Sequence, residues 1–160
     1  MRGGGAARET RRAGALDIQV LAVLHQECFP DDPWSAEALA QLLAMPGAFA
    51  LITVRENSPV GFVMLMQVRE AAEILTLAVT PSARGEGVGR GLVQDALDVC
   101  AASGVEICSL EVAVDNQPAL ALYTAIGFKR RGGRRAYYRR KDGSTADALI
   151  LSKSIPGFLG

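Results

Sequence analysis

An apolar run ends at Val79 and an amphipathic stretch begins at Val88, and between them stands Arg84-Gly85-Glu86-Gly87-Val88-Gly89. Alternate glycines let a backbone take positive φ and approach a ligand closely. A strand that turns through glycines into a helix also leaves the first helical N–H groups without partners. Those donors and the helix dipole act together, so this junction is suited to an anion. The absence of a Lys-Ser/Thr pair argues against the phosphate loop of nucleoside triphosphatases. The Gly-x-Gly-x-Gly spacing and the strands expected upstream argue against a dinucleotide-binding fold. Taken alone, the turn also fits plain structural punctuation.

The surrounding pattern predicts one domain over residues 1–160, with a disordered leader over 1–12 and an edge strand starting near Arg11 to Ala13. Leu16, Val20, Val23, Leu24 and Cys28 follow helical spacing, which Phe29-Pro30 breaks. Ser35 is placed to cap a second helix carrying Leu39, Leu42 and Leu43. Strands are expected over 48–54, 60–68 and 74–79, followed by the glycine turn and a helix with Leu92, Val93, Ala96, Leu97 and Cys100 on one face. A buried strand over 105–114 comes next. Asn116 then opens a short helix, with Pro118 in its first turn and Gly127 just past its end. Closing strands are expected near 128–129, 136–140 and 146–151. The order gives an α/β (α+β) class: a mixed, mostly antiparallel central sheet flanked by helices on both faces.

Charge is balanced overall but unevenly placed. Residues 17–115 hold 14 acidic side chains against four basic, whereas 129–141 hold eight basic and none acidic. An acidic middle attracts a cationic substrate and a basic late segment meets phosphates, although two oppositely charged solvated faces explain the same pattern. His25 is the only histidine, which argues against a histidine metal site or a Ser-His-Asp triad. Cys28, Cys100 and Cys108 lack metal-ligand spacing and read as free thiols of a cytoplasmic protein. No apolar run approaches the ~18 residues of a membrane span.

Arg84-x-x-Gly87-x-Gly89 resembles the Q/R-x-x-G-x-G/A signature of the GNAT superfamily of N-acetyltransferases. Further segments resemble its ribosomal-protein alanine N-acetyltransferase branch. These are Phe29-Pro30 with Pro33-Trp34-Ser35, Leu110-Glu111-Val112 followed by Asn116, Ala119-Leu120-Ala121-Leu122-Tyr123 leading to Gly127-Phe128, and Arg134-Arg135-Ala136-Tyr137-Tyr138. The resemblance spans about residues 20 to 155 and implies the GNAT fold and acetyl-CoA as acetyl donor. It implies that Leu77, Ala78 and Val79 lie along the pantetheine arm, and that Arg84, Gly85, Glu86, Gly87, Val88, Gly89 and Arg90 wrap the pyrophosphate. Asn116 would touch the coenzyme near its thiol, Glu111 would be the general base and Tyr123 the general acid. The implied acceptor is a protein N-terminus, foremost the N-terminal alanine of a ribosomal protein. Glu86 departs from the family pattern, which often has a basic residue there.

Physical chemistry accommodates these roles. An α-amine with a pKa near 8 is mostly protonated at pH 7, and removing that proton costs about 1.4 kcal/mol; a lysine costs over three times as much. A carboxylate such as Glu111 suffices as base, although alternation alone makes it an ordinary solvent-facing strand residue. Tyr123 stays protonated at neutral pH and is able to donate to a departing thiolate, although an aromatic in an apolar helix is usually core. Trp34, Glu73, Tyr137 and Tyr138 are the expected acceptor contacts; for Glu73 a plain surface role is the alternative. The basic 129–141 segment lacks a nucleic-acid motif and reads as a cationic hairpin along the acceptor groove. Two rival functions remain: a GNAT enzyme acting on lysines or small amines, and a non-catalytic acyl-CoA-binding module.

Overall fold

The computed structural model describes residues 8–156. Seven strands form one sheet: β1 Arg8–Arg12, β2 Ala48–Arg55, β3 Ser58–Val68, β4 Ala71–Val79, β5 Ile107–Ala113, β6 Lys129–Arg139 and β7 Thr145–Ser154. Four α-helices accompany them: α1 Ile18–Cys28, α2 Ala36–Leu43, α3 Val88–Ala102 and α4 Gln117–Ile126. The spatial order is β1-β2-β3-β4-β5-β7-β6. Every neighbouring pair is antiparallel except β4 and β5. That parallel pair requires a crossover, and α3 supplies it.

The sheet is covered on both faces, as the pattern predicted, and β3 shows why its stretch from Val60 to Met66 is apolar. Val63 and Leu65 pack with Leu92, Val93 and Leu97 of α3, while Phe62 and Met64 pack with Leu21, Leu24 and Leu39 of α1 and α2. Alternate residues serve opposite cores, so no position is left for a polar side chain. Each large aliphatic group so buried contributes roughly 1.5–3 kcal/mol. Helix ends follow the expected chemistry. Ser35 accepts from the Ala38 N–H at 3.1 Å, Asn116 accepts from the Ala119 N–H at 3.3 Å, and Gly127 ends α4 at φ 112°.

Two expectations are corrected. The disordered leader over 1–12 gives way at Arg8, where β1 begins; residues 1–7 lie outside the described residues. All five β1 side chains are exposed, so no apolar alternation marks the strand, and backbone pairing with β2 holds it. The buried stripe of α1 is Leu21, Leu24 and His25, whereas Leu16 is 99% and Val23 56% exposed. A buried histidine disguised the stripe. Its Nδ1 accepts the Trp34 N–H at 3.0 Å and its ring stacks on the Trp34 indole at 4.8 Å. Burial holds His25 neutral by lowering its pKa to about 4.

Candidate active site

The sheet opens where the parallel pair ends. β4 and β5 are paired only from Ala71 with Ile107 to Ile74 with Leu110. The register of β4 against β3 shifts at this point, leaving Leu75 as an extra residue, and such a bulge bends its strand. Beyond it, residues 75–79 of β4 and 111–113 of β5 have no partner across the gap. Thr80 donates its N–H to the Val60 carbonyl at 2.9 Å, and Ala78 is paired with Phe62. Both therefore face β3, and alternation turns the N–H and C=O of Leu77 and Val79 into the gap. Ala78, expected to join them along the cofactor, is instead committed to β3 and buried. The Val79 carbonyl already accepts from Arg84 Nε at 3.0 Å and from the Cys28 thiol at 3.1 Å. Leu77 and Val79 are register partners of Val63 and Gly61, but by alternation the Leu77 groups and the Val79 N–H turn away from β3, to the side where β5 no longer pairs.

The glycine turn lies at the mouth of this gap. Gly85 and Gly87 adopt φ 79° and 84°, which a side chain resists. Gly87 caps α3 without any side-chain acceptor, and the first helical hydrogen bond is from the Gly91 N–H to the Gly87 carbonyl at 3.0 Å. Among the described residues nothing accepts from the N–H groups of 85–90. A 15-residue helix thus points an uncapped N-terminus at the gap. A Cβ on Gly89 would make ordinary contacts with Val79 at 3.5 Å and Leu122 at 3.6 Å, so the packing of α3 on β4 and α4 does not require glycine at this position. The Glu86 carboxylate is ion-paired with Arg55. An open cavity of about 490 Å³, lined by Val20, Val23, Pro59 and Thr80, lies beside the end of β4 rather than between β4 and β5.

Glu111 and Tyr123 approach the gap from opposite layers. Cys108, Leu110 and Val112 of β5 enter the α3–α4 core, so Glu111 projects from the other face. Its Oε1 lies 3.2 Å from Arg134 Nε of β6. Tyr123 belongs to α4, is 6% exposed and packs edge-on to Phe128 at 5.5 Å. Burial, followed by Cys108 and Tyr138, pushes its pKa upward and keeps the proton in place. Burial and then the Glu111 charge raise Tyr138 as well, so Tyr138 is within electrostatic reach of both groups. Cys100 and Cys108 are buried and raised by desolvation to about 11 and about 12, which makes them packing groups rather than nucleophiles.

The hairpin β6–β7 borders the gap on the β5 side. Two register shifts interrupt it, and the second separates the Arg134–Ala148 pair from Tyr138–Ala146. Within that bulge Ala136 takes φ 50°, its N–H held by Asp147 Oδ1 at 2.7 Å. Tyr137 stands out, half exposed, with the Arg134 guanidinium 5.2 Å from its ring. Lys141 reaches Asp31 of the α1–α2 loop at 3.5 Å, and Arg140 reaches Asp115 before α4 at 2.6 Å. Glu73 is on the Glu111 face, at the closed end of the gap opposite Ser109. Trp34 stays against His25 in the α1–α2 layer. Tyr138 is thus the group that lies within electrostatic reach of both Glu111 and Tyr123, while Trp34 belongs to the α1–α2 layer and Glu73 to the closed end of the gap. Sequence reasoning missed the Arg134–Glu111 and Arg55–Glu86 pairs, whose partners are far apart in the chain and share no motif.

A mixed, mostly antiparallel sheet with helices on both faces matches the expected architecture, and comparison with known proteins decides the family. The acetyltransferase (GNAT) family model matches residues 18–128. The chain belongs to the GNAT family. It is 38% identical over 148 residues, 88% of this chain and 90% of the relative, to the N-alpha-acetyltransferase RimI of Mycobacterium tuberculosis. It is 35% identical over 124 residues, 77% of this chain and 82% of the relative, to the [ribosomal protein bS18]-alanine N-acetyltransferase of Escherichia coli K12. The crystal structure of the ribosomal-protein-S18-alanine N-acetyltransferase from Escherichia coli superposes with a TM-score of 0.88 at 26% identity. That match covers 96% of this chain and 97% of that one. This GNAT protein is an acetyl-CoA-dependent N-acetyltransferase. No described helix is long and apolar enough to cross a membrane.

Proposed function

We propose that this GNAT enzyme acetylates the N-terminal α-amino group of a ribosomal protein, alanine foremost, in the cytoplasm. The observation that carries the reading is the placement of Glu111 and Tyr123 in opposite layers of a sheet that splits beside them. The chain also matches, over most of its length, an N-alpha-acetyltransferase and an alanine N-acetyltransferase.

Acetyl-CoA, when bound, supplies an acetyl group activated as a thioester. The N–H groups of residues 85–90 fit its pyrophosphate, with Arg84 and Arg90 contributing positive charge beside them. Leu77 and Val79 offer free strand-edge groups to its amide arm, and the exposed Asn116 lies at the start of α4. Glu111 attracts the acceptor ammonium and takes its proton, directly or through a water. Tyr123, kept protonated by burial, gives a proton to the departing thiolate. Tyr138 and Tyr137 line the acceptor path on the β6 side, with Trp34 and Glu73 at its margins. Transfer is direct, since Cys100 and Cys108 are buried, burial also raises the half-buried Cys28 thiol, which donates to the Val79 carbonyl, and the one histidine is packed against Trp34.

A panel of peptides tests the acceptor. Peptides with free N-terminal alanine are expected to be acetylated at the α-amine, fastest for the ribosomal sequence, while lysine peptides and polyamines stay slow. Turnover confined to polyamines or lysine side chains would overturn the assignment.

A further inference from the structure

Glu86 sits in the middle of the free N–H run, where an unpaired carboxylate opposes a bound phosphate. The structure shows what balances it. The carboxylate meets Arg55 at the end of β2, and the Glu86 carbonyl accepts from Arg8 Nη1 of β1 at 3.0 Å. Arg8 and Arg55 are register partners across the β1–β2 edge. Two arginines side by side on one sheet edge therefore hold the same loop residue, one by its side chain and one by its backbone. Arg8 Nη1 also lies 3.6 Å from where a Gly87 side chain would start.

The backbone contact has a directional consequence. A trans peptide is planar, with its C=O and N–H on opposite sides. Drawing the Glu86 carbonyl toward Arg8 therefore aims the Gly87 N–H away from β1, to the side where the helix N-terminus is open. Gly85 and Gly87 flank this residue and give the loop many conformations to lose. A tether to the sheet edge removes that freedom before a ligand arrives, which lowers the cost of binding.

We infer that Arg8, Arg55 and Glu86 form a clamp that presets the loop for the cofactor pyrophosphate while neutralising the Glu86 charge. The inference rests on the reading of residues 85–90 as the pyrophosphate cradle. All three are positioning residues, and Glu86, the departure from the family pattern, becomes the point where the loop is anchored.

Two donors separate the clamp from that underlying reading: acetyl-CoA and S-acetylpantetheine, which lacks the pyrophosphate. The parent enzyme is expected to have a much lower KM for acetyl-CoA; equal KM values would sink the cradle reading and the clamp with it. Glu86→Gln and Arg55→Gln are each expected to raise the KM for acetyl-CoA about three- to ten-fold. They are expected to shift the kinetics with S-acetylpantetheine far less than those with acetyl-CoA. The double variant is expected to be no worse than the weaker single one, because both remove the same contact. Simple repulsion by Glu86 predicts the reverse sign, so tighter acetyl-CoA binding by Glu86→Gln overturns the clamp. Equal losses with both donors, alongside a lowered melting temperature, would also overturn it by making the role structural only.

Discussion

The two ends of the gap are built on different principles. At the loop end, the donors are backbone N–H groups that follow one another in the chain, set by two glycines at positive φ and the start of α3. At the acceptor end, Glu111 comes from β5, Tyr123 from α4, and Arg134 and Tyr138 from β6. Backbone donors at a helix start carry no rotamer freedom and do not titrate near neutral pH. Side chains gathered from three elements depend on tertiary packing for their partners, as the Glu111 contact with the partly exposed Arg134 illustrates. In the function proposed, the first design suits holding an invariant cofactor and the second suits admitting an acceptor and moving a proton.

The sharpest way to break this contrast is at Glu111. Glu111→Gln keeps the shape and removes the proposed base, with an expected fall in kcat of about 10²–10⁴-fold at pH 7 and no change in acetyl-CoA affinity. Calorimetric binding of acetyl-CoA beside steady-state kinetics checks both halves, and a parent-like kcat would remove Glu111 from the chemistry. Next in size is the loop. Gly87→Ala places a Cβ at φ 84°, a strain of about 1–2 kcal/mol, equivalent to about a 5–30-fold rise in KM for acetyl-CoA with kcat retained. An unmoved KM would mean that the cradle does not depend on this conformation. The smallest effect is expected at Arg134. Arg134→Gln frees Glu111 for the acceptor ammonium and lowers the acceptor KM about two- to five-fold, with the acetyl-CoA KM untouched. A raised acceptor KM would instead make Arg134 part of the acceptor's hold.

The same contrast explains what was legible beforehand. The loop and its helix could be read because the signal is contiguous: glycines, a preceding apolar strand and a following 3.6-residue period. The caps Ser35, Asn116 and Gly127 were legible for the same reason, since each acts on residues within one turn. Glu111 and Tyr123 were recognisable only through resemblance, because alternation and helical periodicity make them an ordinary surface carboxylate and an ordinary core aromatic. β1 was missed beyond its last residues because an all-exposed edge strand leaves no hydrophobic trace, and the α1 face was misread because its stripe includes a histidine made neutral by burial.

Local chain chemistry therefore determined the elements, their caps and the anion-binding character of the Gly85–Gly89 turn, because these depend on neighbours a few residues away. Only the tertiary structure decided where β4 and β5 part, that Ala78 turns to β3 while Leu77 faces the gap, and that Arg55 and Arg8 hold Glu86. Those outcomes depend on strand register and on pairs 31 and 78 residues apart in the chain. A one-residue change of register reverses which groups face the gap, and no local pattern records the identity of so distant a partner.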